Sequence, residues 1–118
     1  MRTRLAVVVA LLIVTAGSAR AQKTCVSPAS FAAQDSVTTS ILFRGIPLAP
    51  DRVIQAKGIM AQWRVTQCSI LNATNQAELW AAATTKRNDD LRALLESPAA
   101  VKAFNVNLAA ETRRLRAP

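Results

Sequence analysis

Few residues of this chain could do chemistry, and their types say more than their spacing. There is no histidine, so Ser-His and Cys-His nucleophile pairs, histidine bases and most zinc sites cannot be built in their usual form. Asp89-Asp90 is a carboxylate pair. Neighbours on a helix point about 100° apart and cannot flank one bond as acid and base, so the pair reads as solvated helix surface. The glycines Gly17, Gly45 and Gly58 are scattered and form no phosphate-cradling loop. Asn72-Ala73-Thr74 fits the glycosylation sequon, yet reads first as a cap where two helices meet. No catalytic, cofactor-binding or metal-ligating set emerges.

The two cysteines, Cys25 and Cys68, have no close Cys-x-x-Cys spacing and no histidine beside them. Their reading depends on the compartment, which the N-terminus addresses. Met1 to Arg4 carries two arginines, Leu5 to Ala16 is apolar except for Thr15, and Gly17, Ser18 and Ala19 are small. That order is the order of a secretory signal peptide. The apolar run is about 12 residues, short of the roughly 20 that span a bilayer. Ala19-Arg20-Ala21 offers a small-x-small cleavage pattern, with the cut expected after Ala21 and an alternative after Ala19. Residues 22–118 then form a single domain, exported to the periplasm or otherwise secreted. In that setting Cys25 and Cys68 are expected as a disulfide, contributing about 4 kcal/mol in the chain-entropy picture.

Export also changes the charge. The full chain carries 15 Lys+Arg against 7 Asp+Glu, a net +8, and three of those arginines lie before the cut. A remaining charge of about +5 favours acidic partners without choosing among proteins, polyanions and anionic membrane surfaces. Nucleic acid is not the expected partner, because the basic residues are spread along the chain and no recognition motif is present. Membrane-surface contact is allowed, but spanning is not expected once the signal is removed.

The elements that must position these groups read as all-α: about four helices in a small hairpin-like or cradle-shaped bundle tied by one disulfide. Ser27-Pro28 starts the first, which runs to about Phe43 with Phe31, Val37, Ile41 and Leu42 as its apolar stripe, and Gly45 and Pro47 end it. Pro50 starts the second, on which Val53, Ala56, Met60, Trp63, Gln67 and Ile70 share a face. No glycine or proline lies between Gly58 and Pro98. One long helix or two meeting near 71–75 both fit, and a break with Asn75 as cap is preferred. Ala73, Ala77, Trp80, Thr84, Arg87, Leu91 and Leu94 line the third helix, and a hairpin would set Trp63 against Trp80. Ser97-Pro98 opens the fourth, with Val101, Phe104, Leu108 and Leu115 on one side and Arg113, Arg114 and Arg116 at the end that favours cations.

Leu48-Ala49-Pro50-Asp51-Arg52 resembles the Leu-Thr-x-x-Gln motif at helix starts in the Spy/CpxP family of small periplasmic helical proteins. Leucine is kept, Ala49 stands for threonine and Arg52 for glutamine. The stretch from Arg87 to Leu95, followed by Ser97-Pro98 and Phe104-Asn105, resembles that family's closing section. The resemblance spans about residues 41–115. It implies an all-α cradle, often dimeric, whose basic and partly apolar concave face holds unfolded or partner proteins without ATP. The lack of histidine argues against the family's metal-binding branch. On this reading Arg44, Arg52, Lys57, Arg64, Arg87 and Arg92 are the basic candidates for client contact, and Trp63 and Trp80 the aromatic ones. The protein is expected to be a non-enzymatic chaperone or envelope-stress adaptor without a cofactor. The alternative is a small disulfide-tied structural or interaction protein of the envelope that binds one partner.

Overall fold

The computed structural model describes residues 25–116. The expected signal peptide and its expected cut after Ala21 lie outside the described residues. The fold is all-α: a one-turn 3-10 helix, Pro28–Phe31, leads into α1 (Ala32–Leu42), α2 (Pro50–Ile70), α3 (Gln76–Arg92) and α4 (Pro98–Arg116). Cys25 and Cys68 form a disulfide with Cα atoms 5.3 Å apart, inside the range that such a bond requires. It ties the segment before α1 to the last turn of α2. Such bonds form and persist in oxidising compartments. No helix among the described residues is long and apolar enough to cross a membrane.

Helix starts follow local chemistry. Pro50 and Pro98 occupy first-turn positions, where a missing N–H leaves no hydrogen bond unmade. The Ala100 amide donates to the Ser97 hydroxyl at 3.1 Å, a side-chain cap. Ala49 is extended and supplies only its carbonyl, which accepts from Arg52 and Val53. The break falls at 71–75 as expected. Asn75, however, makes no side-chain cap bond: its backbone, at φ −105° and ψ 39°, is not in the extended geometry that aims a capping side chain at the first amides. Ser27 likewise makes no side-chain cap bond.

Gly45 ends the turn after α1 with φ 76°, a left-handed backbone that favours glycine. The turn drops Ile46 into the core, and the Ile46 amide donates to the Phe43 carbonyl at 2.9 Å. That core comprises Leu42, Phe43, Ile46, Ala56, Met60, Leu91, Leu94 and Phe104. Phe43 and Phe104 meet ring to ring at 5.4 Å. It sits where the end of α1, the first half of α2, the end of α3 and the start of α4 converge. The short 71–75 connection folds α3 back along α2, and Trp63 stacks on Trp80 with centroids 4.5 Å apart.

Each expected stripe has an exposed member: Val53 on α2 and Ala77 on α3 face solvent, and α1 and α4 depart further. Val37 is 58% exposed because α1 turns Asp35 inward, and residues two apart on a helix face roughly opposite sides. On α4, Leu115 is 69% exposed and Glu111 takes the last buried position.

Candidate functional site

Two features stand out: a ladder of buried cations and aromatic rings between α1, α2 and α3, and an open groove between α1 and α2.

The ladder is centred on Trp63. The Arg64 guanidinium lies 4.0 Å from the Phe31 ring centroid and 4.3 Å from that of Trp63, and Arg87 lies 4.3 Å from the Trp63 centroid. Desolvated contacts of this kind are each worth up to about 2 kcal/mol. The Trp63 indole N–H donates to the Thr84 hydroxyl, which donates to the Trp80 carbonyl. Arg64 also grips the Asp35 carboxylate: Nη2 donates to Oδ1 at 2.7 Å, and Nε donates to both carboxylate oxygens. Nη1 donates to Gln67 Oε1.

Arg87 is as buried as Arg64, 9% against 8% exposed, but its Nε and Nη2 donate to the neighbouring Asn88 side-chain oxygen rather than to a carboxylate. No carboxylate among the described residues forms an ion pair with it. Burial pushes its guanidinium below the ordinary arginine value, opposed by the negative charge of Asp35; the nearby Arg64 adds to the lowering and Glu111 opposes it. Glu111 is itself buried and accepts from Arg114 Nη2 at 2.6 Å and Nε at 2.9 Å. Those hydrogen bonds hold its carboxyl below the usual glutamate range, against the opposing effect of burial.

The groove encloses about 740 Å³. One wall is small: Ala29 of the 3-10 turn and Ala32, Ser36, Thr39 and Ser40 of α1 share the face turned to α2. Short side chains there cannot reach α2, so space remains. The floor is apolar, formed by Phe43, Ile46, Ala56 and Met60, and Lys57 stands among the lining residues.

The structure gathers Trp63, Arg64, Trp80 and Arg87 into the ladder, the two arginines buried and the two indoles half-buried. Arg52 and Arg92 lie at the core end, Arg52 paired with Glu96 at 3.2 Å and Arg92 with Asp89 at 2.8 Å. Arg92 also donates to Asn105 and lies 5.5 Å from the Phe104 ring centroid. Arg44 and Lys57 are exposed. Sequence reasoning passed over Asp35, Glu111 and Asn107. The Asn107 amide donates to the Leu42 and Arg44 carbonyls at 2.9 and 3.0 Å, closing the end of α1 from α4. A lone acid within a stretch of small polar residues was the available signal for Asp35, and it is a weak one.

Among the described residues no group of three or more Cys, Asp or Glu side chains is placed to hold a metal ion. No family model, curated protein or solved structure matches the chain.

Proposed function

We propose that this protein is a non-enzymatic, periplasmic protein-binding module of the chaperone or envelope-stress-adaptor type, its helices forming a shallow cradle for partly unfolded segments. One observation carries the reading. Along α2, Ile54 at 70% exposure and Val65 at 47% stand in solvent on the same side as the exposed Lys57 and Ala61. Residues spaced 54, 57, 61 and 65 share a helix face. That face is apolar with a cation in it, and the net charge after removal of the signal is about +5. Long-range attraction speeds encounter with acidic chains, and apolar contact retains them. The disulfide and the N-terminal pattern favour an exported setting, and the resemblance to the Spy/CpxP family points the same way.

The test is aggregation of an unfolding client protein with and without this chain. Near-stoichiometric amounts should suppress light scattering, and less so as salt rises. Absence of suppression at every ratio refutes the reading. A pull-down from envelope extract that returns one stoichiometric partner favours instead the dedicated interaction protein.

A further inference from the structure

The groove between α1 and α2 shares Lys57 and Ala61 with the solvent-facing stripe of α2 but makes a different demand on an occupant. Its polar groups are nearly all spent. The Thr39 hydroxyl donates to the Asp35 carbonyl at 2.7 Å and the Ser40 hydroxyl to the Ser36 carbonyl at 3.3 Å, both back into α1. The Asp35 carboxylate is engaged by Arg64 at both oxygens. Among the described residues, the Ser36 hydroxyl and the Lys57 ammonium are the lining side-chain groups left without a partner. An extended peptide laid in this groove would leave its own amides and carbonyls unmatched, at a penalty of about 1–3 kcal/mol for each buried group. A hydrocarbon chain makes no such demand.

We propose that this groove binds a long-chain fatty acid, with the carboxylate at Lys57 and the chain along the floor of Phe43, Ile46, Ala56 and Met60. The volume of about 740 Å³ falls within the roughly 300–1,000 Å³ of small-ligand sites. The wall that runs from Ala29 in the 3-10 turn through α1 to Phe43 is about 21 Å long at roughly 1.5–2 Å per residue, long enough for one extended chain. The site is also preformed. α1 is held at its start by the Cys25–Cys68 disulfide and the Asp35–Arg64 pair, and at its end by Leu42 and Phe43 in the core. A wall fixed at both ends lets the ligand enter without first ordering the protein. One cation over an apolar floor matches one anionic head on one chain. The inference goes beyond protein binding and does not depend on it.

The experiment uses the purified protein with its disulfide intact, titrated calorimetrically with palmitate below its micelle concentration and, in parallel, with hexadecyltrimethylammonium. Palmitate should saturate at one per chain and bind roughly tenfold more tightly than the cation of equal chain length. Lys57→Glu, a change at an exposed position, should weaken palmitate about fivefold and abolish the preference. Ala32→Phe, which fills the groove from α1, should weaken both ligands, with circular dichroism confirming an unchanged fold. Lack of saturable palmitate binding, equal affinity for the two head groups, or indifference to Ala32→Phe in a folded protein overturns the proposal. Aggregation suppression without palmitate binding would overturn this site alone, and palmitate binding without suppression would overturn the chaperone reading alone.

Discussion

Arg64 and Arg87 lie against the same indole, at the same 4.3 Å from the Trp63 centroid and with almost the same burial, yet they are held in opposite ways. Arg64 has a bidentate carboxylate and a glutamine. Arg87 has one amide oxygen from the next residue and the flat face of a ring. Their difference separates two meanings of a buried charge. One is part of a matched pair whose halves depend on each other. The other is a cation carried inward by the long stem that packs with the helix, its desolvation offset by the ring and by distant negative charge.

The most damaging way to disturb this contrast is to split the matched pair. Asp35→Ala should destabilise the fold by about 3–5 kcal/mol, because Arg64 is left buried without its counter-charge. The double change Asp35→Leu with Arg64→Met should recover most of that loss. Denaturant unfolding measures both, and a loss under 1 kcal/mol for Asp35→Ala would dissolve the distinction. Arg87→Met keeps the stem and removes an unpaired charge, so stability should stay within about 1 kcal/mol of the parent in the same assay. A loss as large as that of Asp35→Ala would mean that Arg87 has a partner as strong as Asp35.

The smallest effect separates a third buried charge, Glu111, from both arginines. Its carboxyl is depressed by the Arg114 hydrogen bonds, so it contributes stability above the unfolded glutamate pKa. That contribution is lost as pH falls through the lower folded value. Stability should therefore decline on acidification below the ordinary glutamate range, and Glu111→Gln should flatten that part of the curve. An unchanged acid limb in Glu111→Gln would show that other carboxylates produce it.

Much of the helical frame was legible in the residues. First-turn prolines at Pro50 and Pro98, the 71–75 break and the meeting of Trp63 with Trp80 follow from local rules and from the 3,4 step, which act over a few residues. The rotation of α1 was not legible. Phe31, Val37 and Ile41 offered a plausible stripe, but the strongest bond available to α1 lies between Asp35 and Arg64, 29 residues away, and no local periodicity reports such a pairing. The groove was hidden for the same reason, since small residues face α2 only once Asp35 has set the rotation. Asn107 is harder still. An exposed-looking asparagine within a helix gives no hint that it closes the end of another helix 65 residues earlier.

That asparagine bears on the order in which the chain assembles. The α2–α3 hairpin joins neighbours in sequence through a short turn and can form early, as low contact order favours. The Leu42 carbonyl that ends α1, and the Arg44 carbonyl just beyond it, accept from Asn107 on α4, so the closing of this helix end and the docking of α4 are completed in a single event. Amide exchange at the end of α1 should therefore keep pace with exchange on the Asn107 side of α4, as two halves of one cooperative unit.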